Sequence, residues 1–181
     1  MQEENPFKLK SSKVVYENPW MNVREDSVVR PGGKDGIFGI VTMKDGVTVI
    51  ALDSEQNIYL TLEYVYAVGR CSLEGVSGGI DGDDSVLVTA QRELQEEIGG
   101  VSENWIDLGK VEPFTSVVKS INYIYLAKDV VLAHEQNTDE GEVIDIVKMP
   151  FREAYEKVVA GEITHGASVA GILKTHILWN R

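Results

Sequence analysis

The sequence predicts an α/β domain, and three observations predict it. Apolar and β-branched segments broken by Gly, Pro, Asn and Asp turns recur from Val14 to Val147. A single helix with start and stop signals, Ser85 to Ile98, interrupts them. Beyond Pro150 two further apolar stripes run at helical spacing.

The N-terminal part is extended. Met21 to Val29 and Ile37 to Met43 flank Pro31-Gly32-Gly33, a hairpin signal, and Lys44-Asp45-Gly46 marks the turn before Val47 to Leu52. Residues 1–45 are therefore read as a β extension, either a cap over a sheet or an arm reaching into another subunit, and residues 46–181 as the main domain. After the polar turn Asp53 to Asn57, the residues Ile58, Leu60, Leu62, Tyr64, Tyr66 and Val68 alternate with the rest, which predicts them on the core side of a strand. A short strand, Leu73 to Gly79, then runs into a glycine-rich loop.

The helix follows. Asp83, Asp84 and Ser85 are N-cap candidates, Val86 to Ile98 holds no Gly or Pro, and Gly99-Gly100 stops it. Leu87, Ala90, Leu94 and Ile98 form an apolar stripe. Glu93, Glu96 and Glu97 form a second stripe beside it. Like charges at these spacings repel, and two of them sit at the helix end where the macrodipole disfavours negative charge, at roughly a few tenths of a kcal/mol each. A bound cation reverses both penalties; a solvated acidic face is the plainer alternative. Arg92, four residues before Glu96, is placed to hold that carboxylate, with contact to a substrate as the lesser alternative.

Strands are expected at Ile106 to Val111, Ile121 to Ala127 and Val143 to Val147. The loop Ala133 to Glu142 is acidic; it is either a solvated spacer or carries Asp139, Glu140 and Glu142 over the helix. Pro150 opens a helix with the stripe Phe151, Ala154, Tyr155 and Val158, closed by Gly161, and Val169, Ile172, Leu173, His176 and Ile177 mark a last one. His165 reads as a loop residue without a partner set.

Composition narrows the function classes. The 181 residues, 43% hydrophobic and 25% charged, are ordinary for a soluble domain with its own core. A net charge of −12 argues against nucleic-acid and anionic-membrane binding, because both need a basic footprint. Cys71 is the one cysteine, so no internal disulfide forms, which suits a reducing compartment; with neither a signal-like start nor an apolar run, a cytoplasmic protein is expected.

The stretch Gly78, Asp84, Arg92-Glu93-Leu94-Gln95-Glu96-Glu97-Ile98-Gly99 resembles the box of the Nudix hydrolases, G-x5-E-x7-R-E-U-x-E-E-x-G-U with U aliphatic. Asp84 stands where Glu is usual and Gly100 where an aliphatic residue is usual. From about Asn18 to the last helix the chain is similar to the ADP-ribose pyrophosphatase branch, including Thr138-Asp139-Glu140-Gly141-Glu142 and Gly161-Glu162-Ile163. It departs from that branch at Val65, where an arginine is usual.

The resemblance implies an α/β/α sandwich around a mixed sheet with an N-terminal β extension, and a homodimer in which that extension crosses to the partner. It implies Glu93 and Glu97 as metal ligands with Glu96 assisting, completed by the Ser77 carbonyl and by Glu142, with Glu140 as the base and Glu142 as the alternative. Oxygen ligands suit Mg2+, with Mn2+ as the second choice. The implied substrate is a small nucleoside diphosphate derivative, foremost ADP-ribose, with GDP- or UDP-sugars next and a non-catalytic nucleotide sensor as a further alternative. Three residues are candidate substrate contacts, each with a bland alternative: Arg70 for the diphosphate or solvent, Tyr64 for the base or packing, and Lys119 at the border of the site or solvated.

Overall fold

A computed structural model of the chain describes residues 4–138 and 143–179. Two compact units divide it: one is the chain up to Lys44 with Glu112–Ile121, the other Asp45–Val111 with the chain from Asn122 onward.

The first unit is a sheet ordered β1-β2-β3-β10. β1 (Lys8–Glu17), β2 (Met21–Val29) and β3 (Asp35–Met43) are antiparallel, and β10 (Val118–Lys119) joins β3 in parallel. Gly33, at φ 79°, makes the β2–β3 turn that Pro31-Gly32-Gly33 predicts. β1 begins well before the expected Val14, because its start, Lys8 to Lys13, is polar apart from Leu9 and shows no sustained alternation. All of β1 is exposed, and Asp26 and Val28 are the buried residues among those described in this unit.

The second unit holds the core. Its main sheet runs β13-β5-β4-β11-β9, with β6 on β5 and β7 on β4. The strands are β4 (Gly46–Leu52), β5 (Asn57–Val65), β6 (Arg70–Glu74), β7 (Val76–Gly79), β9 (Asn104–Val111), β11 (Asn122–Lys128) and β13 (Ile144–Pro150). β11 lies parallel to β4 and antiparallel to β9, so the sheet is mixed. A small pair, β8 (Gly100–Val101) with β12 (Val131–Leu132), follows the first helix.

Alternation along β4 sorts the helices onto two faces. Val47, Val49 and Ala51 pack with Ala90, Leu94 and Ile98 of α1 (Val86–Ile98). Ile50 and Leu52 pack with Phe151 and Ala154 of α2 (Phe151–Ala160) and with Ala167 and Ile172 of α3 (Gly166–Trp179). Each fully buried Leu or Ile here contributes about 1.5–3 kcal/mol. Within this unit the layers are α/β/α, in agreement with the expected class.

One expectation fails. Tyr64, Tyr66 and Val68 are 62%, 93% and 57% exposed and do not continue a core face. β5 ends at Val65, whose carbonyl accepts the Val68 and Gly69 N–H groups of a turn. Earlier in β5 both faces are buried, Ile58 and Leu60 on one and Tyr59 and Thr61 on the other, because the strand is flanked on both edges and covered on both faces. The period-2 pattern carried on past the point where the chain leaves the sheet.

Candidate active site

α1 forms where its caps predict. The Ser85 hydroxyl accepts the Val88 N–H at 3.3 Å, and Gly99, at φ 65°, turns the chain out of the helix with its N–H on the Gln95 carbonyl. A β-carbon at Gly99 would meet the His134 carbonyl. The apolar stripe docks α1 on β4 and β7, and this turns the adjacent Glu93 and Glu97 inward. Both are 92% buried, whereas Glu96 is part-exposed.

The glycine loop meets these carboxylates with its backbone. The Ser77 N–H donates to Glu97 Oε2 at 3.2 Å. Glu93 lies over Gly78, where a β-carbon would collide with its carboxylate, so the glycine is needed for a close approach rather than for a turn. Ser77 donates its hydroxyl proton to the Gly75 carbonyl at 2.7 Å, which leaves Thr48 as the donor of the 2.9 Å bond between their hydroxyls.

Arg92 binds more than the i, i+4 spacing anticipates. Its guanidinium lies 2.6 Å from Glu96 Oε2 and 2.7 Å from Glu93 Oε1, and donates to the Gly79 carbonyl at 3.3 Å. Burial pulls the Arg92 pKa down, but the Glu93 charge and then the Glu96 hydrogen bond outweigh it, and the net shift is upward. The three glutamates, Arg92, Ser77, Gly78, Gly79, Asp81 and Thr138 line a cavity of about 150 Å3.

Not every candidate reaches this cavity. Arg70 donates to Thr164 Oγ1 at 2.7 Å and to the Cys71 carbonyl at 3.1 Å and does not line it, nor does Tyr64 at the outer end of β5. Lys119 belongs to the first unit, on β10. Glu140 and Glu142 lie outside the described residues. Sequence reasoning missed Gly79, Asp81 and Thr138 as cavity lining, and it missed the partners of His165, Glu74 and Ser168. Glu74 is too distant in sequence for any spacing rule to find; Ser168, three residues on, was within reach of one.

The donor set suits a divalent cation. Two buried carboxylates and a third at the rim are hard oxygen ligands, and the absence of a side chain at Gly78 makes room for the Glu93 carboxylate. Among the described residues, no three acidic, histidine or cysteine side chains already converge on one point, because Arg92 draws Glu93 and Glu96 to itself.

Comparison with known proteins decides the family. A NUDIX domain model matches residues 42–167. The chain belongs to the NUDIX family. A nucleoside diphosphate sugar hydrolase N-terminal domain model matches residues 7–41 of this NUDIX protein. It is 30% identical over 182 residues to the ADP-ribose pyrophosphatase of Mycobacterium tuberculosis, covering 96% of this chain and 84% of that protein. It is 22% identical over 150 residues to the ADP-ribose pyrophosphatase of Bacillus subtilis, covering 82% and 81%. The crystal structure of an ADP compounds hydrolase superposes with a TM-score of 0.86 over 99% of this chain and 97% of that one at 19% identity, which shows a shared fold. The chain is thus a hydrolase of pyrophosphate bonds, and NUDIX hydrolases work with a divalent metal. Among the described residues no helix is long and apolar enough to cross a membrane.

Proposed function

We propose that this NUDIX hydrolase is a Mg2+-dependent pyrophosphohydrolase that splits ADP-ribose into AMP and ribose 5-phosphate. The observation that carries the chemistry is the burial of Glu93 and Glu97 against a glycine loop that leaves room for them. The likeness to two ADP-ribose pyrophosphatases, one across nearly the whole chain, supports the substrate.

Glu93, Glu97 and Glu96, with the Ser77 carbonyl and Glu142, would hold Mg2+ or, as second choice, Mn2+. Such an ion, when bound, offsets the charge of a diphosphate and acidifies water. The chain's own groups do the rest. Arg92 pairs with Glu93 and Glu96 and fixes where they stand, the Ser77 N–H orients Glu97, and Glu140, with Glu142 as alternative, takes the proton as water adds to phosphorus and the bond to the leaving phosphate breaks.

Two finer points belong to the same reading. A homodimer built through the N-terminal extension is supported by β1, whose Leu9, Val14, Val15 and Tyr16 are all more than half exposed. A cytoplasmic setting is supported by an exposed, unbridged Cys71.

Glu97→Gln tests the chemistry: it removes a charge at nearly constant volume, and turnover that persists at saturating Mg2+ would overturn the assignment. The second reading, hydrolysis of nucleotide sugars, is favoured by the N-terminal model match at residues 7–41. A panel of ADP-ribose and GDP- and UDP-sugars with Mg2+, resolved by product chromatography, separates the two.

A further inference from the structure

The link between β6 and β7 is held from α3, on the sheet face opposite α1. Ser168, fully buried in the first turn of α3, accepts the Gly75 N–H at 2.8 Å. Its hydroxyl oxygen lies 2.8 Å from His165 Nδ1, and the same nitrogen lies 3.1 Å from Glu74 Oε2. On the other side of Gly75, its carbonyl accepts the Ser77 hydroxyl, and the Ser77 N–H donates to Glu97. Hydrogen bonds, linked through the Gly75 and Ser77 residues themselves, therefore join Glu74 and His165 to the carboxylate at the candidate metal position.

The tautomer follows from the contacts. A bare Nδ1 lone pair facing a carboxylate would repel it, so the proton sits on Nδ1 and is shared between Glu74 and Ser168. Ser168 then receives two donors, the His165 Nδ1–H and the Gly75 N–H, which pins its rotamer and with it the Gly75 peptide. Gly75 has little room to settle elsewhere, since even a β-carbon there would lie 2.9 Å from the Val49 carbonyl. The ring itself is part-exposed and does not line the cavity of the carboxylates, so it acts through its neighbours.

We propose that His165 is a positioning residue for the active site: by donating from Nδ1 to Glu74 and Ser168 it fixes the Gly75–Ser77 backbone and so the placement of Glu97. The proposal rests on the reading that Glu97 and the Ser77 backbone hold the divalent ion.

Two variants of the full chain test it, His165→Leu, which fills the space without a donor, and His165→Asn, whose side-chain amide donates from about the place of Nδ1. The readouts are the amide resonances of Gly75 and Ser77 and the affinity for Mn2+ alone, measured by electron paramagnetic resonance without substrate. His165→Leu should shift both amides and weaken Mn2+ binding roughly fivefold, the size of one hydrogen bond, and His165→Asn should restore both. Unmoved amides in His165→Leu, or equal impairment in both variants, overturn the proposal, the latter because packing alone would then account for it. A wild-type chain that binds no Mn2+ while its amides respond as expected supports the positioning of the loop and overturns the metal-site reading.

Discussion

Glu93 lies over Gly78 so closely that a β-carbon on the glycine would run into its carboxylate. The collision is with a side chain already held by Arg92 at 2.7 Å, and therefore not free to swing clear. Gly78→Ala should displace Glu93 by something near an ångström while leaving the core under α1 intact. A misplacement of that size costs about 100-fold in rate. The expected outcome is a hundredfold loss of Mg2+-dependent hydrolysis with melting within a few degrees of wild type, checked by product chromatography and calorimetry.

Arg92 supplies the positive charge that lets two glutamates sit beside each other on α1. Arg92→Ala leaves the buried Glu93 without that counter-charge. Loss of a partner from a fully buried pair costs about 3–5 kcal/mol, but Arg92 is one-third exposed, and about 1–2 kcal/mol is expected. A divalent ion can take over the neutralising role, so added Mg2+ should raise the melting temperature of the variant more than that of wild type. Equal shifts would mean that Arg92 and the cation act on different groups.

Asp53 makes a pH prediction with a definite sign. Its carboxylate accepts the Asn57 and Glu55 N–H groups at 2.8 and 2.9 Å and pairs with Lys148 Nζ at 2.7 Å, which ties the β4–β5 turn to β13. Burial pushes its pKa up, but the hydrogen bonds from Lys148, Asn57 and Glu55 outweigh burial and bring it down from 3.8 to about 2. A depressed carboxyl pKa stabilises the fold above its unfolded value and loses that contribution as pH falls through the folded one. Asp53→Asn should therefore be destabilised relative to wild type at pH 5 to 7, and the gap should close between about pH 4 and 2. Urea titrations of both proteins across that range measure it.

Much of this was legible in the sequence because local rules governed it. Ser85 and Gly99 announced α1, Pro31-Gly32-Gly33 announced the β2–β3 hairpin, and the spacing of Glu93, Glu96 and Glu97 put the carboxylates on one stripe. What stayed hidden was non-local. Nothing near Arg92 in sequence shows that it also reaches the Gly79 carbonyl, and nothing near His165 points to Glu74. Tyr64 misled because alternation records side-chain direction and not where a strand leaves its sheet. The start of β1, before Val14, escaped notice for the opposite reason: with both of its faces exposed, it has no reason to alternate.

Gly99 couples the end of α1 to the segment that leads towards Glu140. Its carbonyl accepts the Ala133 and His134 N–H groups at 3.0 and 3.1 Å, and one turn earlier the Glu96 carbonyl accepts the Asn137 N–H at 2.9 Å. The residue sits at φ 65°, and a β-carbon would strike the His134 carbonyl, so Gly99→Ala meets both a backbone penalty and a clash with main chain that cannot rotate away. The backbone term alone is about 1 kcal/mol, and relief of the clash must come from moving residues 133–137 off the helix end. Stability should fall by about 2 kcal/mol or more, seen in urea unfolding. Activity should fall further than stability explains, because Thr138 lines the cavity and Glu140 follows it in the chain. Gly99→Asn separates the two effects: asparagine tolerates a positive φ but still carries the β-carbon, so it should recover part of the stability and little of the turnover. Full recovery of turnover in that variant would show that the placement of this segment against α1 is not what the reaction needs.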